Sequence, residues 1–272
     1  MSRTHLVIID PQNDFCHPDG SLFVPGAPAD MERLASMIRR LAGELDAIHV
    51  TLDTHQRVDI SHPMWWVDAD GNHPAPFSSI SADDVASGRW RTFRQQDFKR
   101  SVAYLQQLQA RGRYDHTIWP EHCLEGSFGH AVYQPIFDAI AEWERRYATT
   151  DYVRKGTNAW TEHFSAFQAE VPDSADPSTQ LNRSLIAELE RADRILIAGE
   201  ARSHCVANSV RDLAAGFENQ EHIKKITLLI DATSDVPDPP GSTLFTQFGE
   251  RFVADLQSLG MQIATTDSLC LP

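Results

Sequence analysis

The stretch Ile195-Leu-Ile-Ala-Gly-Glu-Ala-Arg-Ser-His-Cys205-Val-Ala-Asn-Ser-Val-Arg-Asp-Leu213 decides the fold. Its first four residues are an apolar run of strand length, and Gly199 supplies a tight turn. Ser203 is placed to cap a helix, whose apolar positions Val206, Val210 and Leu213 recur at helical spacing. Cys205 then falls in the first turn of that helix, at the carboxyl end of a strand, where an α/β sheet opens its ligand crevice. Helix N-terminal N–H groups and the helix dipole favour a thiolate there, and the thiolate is the nucleophilic form. A free cysteine is also common as a plain core residue. The rest of the chain separates the two readings.

On either side the same pattern returns. His5-Leu-Val-Ile-Ile-Asp10 is an apolar run with an acid at its tip, followed by a loop at Pro11. Ala47-Ile-His-Val-Thr-Leu-Asp53 is a second strand ending in an acid, and His55 lies two residues on, so both side chains can point to one side. An Asp-x-His pair offers a carboxylate oxygen and an imidazole nitrogen to a borderline divalent metal, although such pairs are also ordinary surface features. Asp59 and His62 stand nearby as further ligand candidates. Thr117-Ile-Trp119 reads as a brief strand, and His122 follows it as a third candidate ligand. Tyr152-Val-Arg-Lys155 is another strand, now with a basic tip, followed by Gly156. Lys225 to Asp231 and Gln262 to Thr265 complete the set. Helices are expected near 29–45, over 97–109, ending near 146, from Thr179 or Asn182 to Arg191, and over 242–259. The crossover rules turn this alternation into a three-layer α/β sandwich with a six-stranded, mostly parallel sheet and right-handed connections. Asp10, Asp53, Lys155 and Cys205 would then share one rim. A lysine there would pair with Asp10 and stabilise a thiolate between them.

The chain has 272 residues, 42% of them hydrophobic and 23% charged, enough for one large α/β domain spanning 1–272. The formal net charge of -14 argues against a nucleic-acid backbone or an anionic membrane as partner. No apolar run approaches membrane-spanning length and no signal peptide is visible, so a cytoplasmic protein is expected. Cys16, Cys123, Cys205 and Cys270 form no CxxC pair and read as free thiols. Residues 63–94 look like a loop-rich insertion, rich in Pro, Asp and Gly. Its Trp65-Trp66 pair would form a lid or a substrate wall, or else cover the core or an oligomer interface.

These motifs together resemble the isochorismatase-like cysteine hydrolases, and within them the nicotinamidases. The resemblance rests on Asp10-Pro-Gln-Asn-Asp14-Phe15, Asp53-Thr-His55, Trp119-Pro-Glu-His122-Cys123-Leu-Glu-Gly126, Lys155-Gly156 and Gly199-Glu-Ala-Arg-Ser-His-Cys205-Val206. It implies a catalytic triad of Asp10, Lys155 and Cys205, and a cis peptide before Ala201. That peptide would aim the N–H groups of Ala201 and Cys205 at an oxyanion. It further implies a divalent metal on Asp53, His55 and His122, with zinc first and manganese or iron as alternatives. Phe15 and Trp119 match positions lining a ring pocket. The activity implied is hydrolysis of a small carboxamide, nicotinamide foremost, through a thioester, in a homo-oligomer. The Glu200-to-His204 lead-in and the long 63–94 segment depart from the commoner pattern. They keep another small amide, carbamoyl compound or ureide open as substrate, and a non-catalytic metal- or ligand-binding member as the rival reading.

Overall fold

In the computed structural model, which describes residues 2–146 and 148–271, the apolar runs become strands. They are β1 (Thr4–Ile9), β2 (Ala47–Asp53), β3 (Trp66–Val67), β4 (Arg91–Thr92), β5 (Asp151–Lys155), β6 (Arg194–Gly199), β7 (Ile226–Leu229) and β8 (Gln262–Ala264). Six of these hydrogen-bond into one sheet in the order β5-β2-β1-β6-β7-β8, and every pairing is parallel. Leu6 to Ile9 and Ile195 to Ala198 are buried, as continuous Val/Ile/Leu runs are when both faces of a parallel sheet are covered. β3 and β4 form a separate antiparallel pair.

The helices are α1 (Asn13–Cys16), α2 (Ala27–Arg40), α3 (Ala82–Ala86), α4 (Phe98–Arg111), α5 (Gln134–Glu144), α6 (Arg183–Glu190), α7 (Ala207–Gly216) and α8 (Leu244–Ser258), and all but α3 and α4 pack around the main sheet. From β1 the chain winds outward to β2 and β5, then returns past β1 and continues through β6, β7 and β8. Right-handed crossovers running in opposite directions put their helices on opposite faces. Accordingly α2 packs on α5, while α7 packs on α6 and α8. The direction changes between β1 and β6, so their carboxyl ends form the switch point where such sheets bind ligands. Gly199 closes β6 against β1 at φ 113°, and a Cβ there would lie 2.0 Å from the Ile9 carbonyl oxygen.

A second, smaller core sits beside the sheet. Trp65 and Trp66 are buried in it with Ile60, Ile80, Val85, Tyr104, Leu105, Leu108 and Ile118. Trp65 donates its indole N–H to Ser101 (3.0 Å) and Trp66 donates to the Ile60 carbonyl (2.8 Å). The tryptophan pair is therefore core, and the body it anchors reaches past residue 94 to include α4. Thr117 to Trp119 forms no strand; Thr117 makes only an isolated bridge to Ser79, because the segment lies on this satellite rather than on the main sheet. None of the described helices is long and apolar enough to cross a membrane.

Candidate active site

Asp10 is the first residue beyond β1, turned into the left-handed region at φ 44°. Thr51 on the neighbouring strand fixes it: the Thr51 hydroxyl donates to Asp10 Oδ1 (2.5 Å) and accepts from the Asp10 backbone N–H (3.0 Å). Lys155 ends β5 two strands away, and its buried side chain runs back under the rim. Its Nζ lies 3.0 Å from Asp10 Oδ2, 3.0 Å from Asp53 Oδ1 and 3.7 Å from Cys205 Sγ, and it donates to the His163 carbonyl at 2.9 Å. Burial alone would lower the lysine, but Asp10 and Asp53 outweigh it and hold the amine well above its ordinary value. Lys155 is thus an ammonium at neutral pH. Burial raises Asp10, against the pull of Lys155.

Cys205 departs from the sequence expectation in its local backbone and its charge. Ser203 is not a cap. Ala201 occupies the cap position, and Arg202 to Val206 wind as a π turn before α7 begins. Ser203 Oγ instead accepts from the Val236 N–H (3.1 Å) and bonds His204 Nδ1 (2.9 Å). Burial raises the Cys205 thiol well above its ordinary value, with Asp10 and Asp53 adding to the rise and Lys155 opposing it. The resting sulfur is therefore a thiol, with the Lys155 ammonium 3.7 Å away between it and the Asp10 carboxylate. The Glu200–Ala201 peptide is cis. The amides flanking Cys205, those of His204 and Val206, both donate to the Ala201 carbonyl (3.0 and 3.1 Å).

On the other side of Lys155, Asp53 joins His55 and His122 in a buried cluster whose ligand atoms lie within 4.8 Å of one another. His55 Nε2 is 3.2 Å and His122 Nε2 3.4 Å from Asp53 Oδ2. His122 Nδ1–H donates to the Pro120 carbonyl (2.8 Å), which turns Nε2 toward Asp53. His55 Nδ1 is held by Asp59 Oδ2 at 3.0 Å, while its Nε2 is buried without a hydrogen bond. Burial would lower His55, yet Asp53 and Asp59 raise it well above its ordinary value. A buried nitrogen without a partner, in a field that draws positive charge, suits a divalent ion on this donor set. Asp59 is thereby the orienting carboxylate behind His55. His62 stands behind His122, its Nε2 3.4 Å from the far nitrogen Nδ1, and burial pushes it down to about 3.

Cys205, Ala201, Asp53, His122, Phe15 and Trp119 all line one cleft with about 350 Å³ of empty space, its open mouth included. Phe15 meets His122 edge-on at 5.6 Å between ring centroids. Several contributors were not singled out from sequence. Glu162 lines the cleft, accepts from Trp119 Nε1 (3.1 Å) and is pushed by burial up to about 7. Phe164, His204, Leu22 and Val236 complete the wall. Gln12 clamps Asp53 through its backbone N–H and carbonyl (2.7 and 2.8 Å). Asp14 holds the Cys123 N–H (2.6 Å), fixing the loop that carries His122. The Asp14-Phe15 motif was the available signal for that last clamp.

No family model matches the chain. In sequence it is similar to a nicotinamidase of Saccharomyces cerevisiae, 24% identical over 236 residues that cover 86% of this chain and 89% of the relative. Among solved structures it is similar to PnC1 from L. infantum in complex with nicotinate, with a TM-score of 0.61 and 20% identity, covering 99% of this chain and 96% of the other. It is also similar to the pyrazinamidase of Pyrococcus horikoshii in complex with zinc, with a TM-score of 0.54 and 19% identity, covering 97% and 99%. At these identities the structural likeness speaks for the fold.

Proposed function

We propose that this chain, whose relatives in sequence and fold are nicotinamidases and pyrazinamidases, hydrolyses nicotinamide to nicotinate and ammonia through a cysteine thioester. What supports this reading most is Lys155, within 3.0 Å of Asp10 and 3.7 Å of the Cys205 sulfur, at a cleft that also reaches an Asp/His/His cluster. Asp10 accepts the thiol proton as the sulfur attacks the amide carbon. A C–S bond forms and the carbonyl π electrons move onto oxygen. The Ala201 and Cys205 amides receive that oxygen, a contribution of roughly 3–4 kcal/mol per donor. The C–N bond then breaks as Asp10 returns its proton to nitrogen, and ammonia leaves. Water, giving a proton to Asp10, cleaves the thioester, releases the carboxylate and restores the thiol. Lys155 keeps its proton throughout and holds Asp10 in place. Phe15 and Trp119 flank the ring.

Asp53, His55 and His122 would hold a divalent cation, which when bound offers a Lewis-acid contact to a ring nitrogen in the cleft. Zinc is our first assignment, as in the P. horikoshii structure, and manganese or iron also suit these donors. A cytoplasmic location, consistent with four free cysteines, and a homo-oligomeric assembly belong to the same reading. The decisive experiment is ammonia release from nicotinamide, with and without chelator, by the parent and by Cys205→Ala. Activity should vanish in the variant. It should fall on chelation and return with zinc. Release at the parental rate by Cys205→Ala would overturn the covalent route, and an inert nicotinamide beside an active second amide would move the substrate.

A further inference from the structure

We propose a second divalent-metal site at the opposite rim of the sheet, formed by His5, His49 and Glu188. His5 is on β1 and His49 on β2. The register pairs His5 with Ala47, so His49 lies two residues further along on the same face. The two rings approach with centroids 5.3 Å apart, and His5 Nδ1 lies 3.1 Å from His49 Nε2. Two imidazole nitrogens on one tetrahedral ion with bonds of about 2.0–2.1 Å stand roughly 3.3 Å apart. The strands therefore already set the spacing.

His49 Nδ1 lies 2.9 Å from Asp151 Oδ2. The carboxylate accepts a hydrogen bond from Nδ1–H and so turns Nε2 toward His5, an arrangement that orients metal-binding histidines. Glu188 reaches over from α6, and its carboxylate and the two nitrogens lie within 4.8 Å of one another. Both imidazoles are buried while Glu188 is exposed, which gives two fixed ligands, one adjustable arm and an open side for entry. Asp46 adds negative charge near His5, against Arg3. Two nitrogens and one carboxylate select zinc, nickel or cobalt over calcium or magnesium. His5 precedes Asp10 by five strand residues, so the site is roughly 16 Å from the active rim. An ion there would tie α6 to β1 and β2, apart from catalysis.

The test uses the tag-free full chain, stripped with chelator and titrated with Zn2+ alone by calorimetry and equilibrium dialysis. The parent, Glu188→Ala and His5→Gln are compared, with folding checked by circular dichroism. One Zn2+ equivalent should weaken at least tenfold in Glu188→Ala and disappear in His5→Gln, while ammonia release by Glu188→Ala stays parental. Should His5→Gln fail to fold, the exposed Glu188 substitution decides alone. Zinc isotherms in the folded variants that superpose on the parent's would overturn the site, whatever becomes of the Asp53 cluster.

Discussion

Asp10, Lys155 and Cys205 were legible as residues because each ends a strand or begins the helix after one, and parallel strands bring such positions to one rim. Thr51, Glu162 and His163 were not. Thr51 matters only because the β1–β2 register sets it beside Asp10, and Glu162 only because an irregular loop turns it into the cleft. Charge state was harder still. The sequence suggested a thiolate from the helix N-terminus, whereas burial and two carboxylates keep the thiol. Burial has a measurable consequence at Glu170, whose carboxyl oxygens make no hydrogen bond. Burial, helped by Asp212 and opposed by Arg113, pushes it from 4.5 up to about 7. Between those values the folded chain keeps a proton that the unfolded chain has lost. Stability is thus highest below the unfolded value and falls as pH rises toward the folded one. The window is worth on the order of 3 kcal/mol. Glu170→Gln should remove this slope, gaining on the parent by about 2–3 kcal/mol between pH 5 and pH 8 in urea unfolding. Parallel stability curves for the two proteins would count against it.

At the level of elements, the strands of the main sheet were read closely, whereas the expected strand at Thr117–Trp119 does not form and the turn carrying Cys205 was not foreseen. Ile195 to Ala198 needed only an apolar run, but a π turn leaves no periodic signature in five residues. Its geometry is held by a residue far away in sequence. Tyr114 donates its hydroxyl to the Ser203 carbonyl (3.0 Å) and accepts from Asn208, which also bonds the His204 carbonyl (2.9 Å). The Tyr114 ring stacks on His204 at 5.2 Å. Tyr114→Phe keeps the ring and loses the tether. Steady-state kinetics should show kcat down roughly tenfold, the equivalent of one hydrogen bond, with KM nearly unchanged. A change in KM alone would place Tyr114 in binding rather than in holding the sulfur.

For the whole molecule, a parallel sheet was accessible through the crossover rules, while its strand order and the satellite core were not, since the members of that core are scattered from Ile60 to Ile118. That core reaches the site through backbone contacts: Trp66 bonds the Ile60 carbonyl, next to Asp59, and the Trp119 N–H donates to Ser61 (2.8 Å). Trp66→Ala should cost about 3–5 kcal/mol in urea unfolding and weaken zinc binding as the 59–62 segment loosens. Unchanged zinc affinity in the folded variant would separate the satellite from the metal cluster. Lys155 carries the last consequence. One ammonium serves both Asp10 and Asp53, so the proposed base and the carboxylate of the proposed metal cluster draw on a common counter-ion. Asp10→Asn or Asp53→Asn alone leaves the lysine an anion; together they strand it in the interior. In metal-free protein the double replacement should destabilise beyond the sum of the singles by about 1–3 kcal/mol, and strict additivity would make the two halves independent. A lineage with this layout could lose either carboxylate and keep its buried cation answered, but the loss of the second would be felt through the first, because both hang on the same nitrogen.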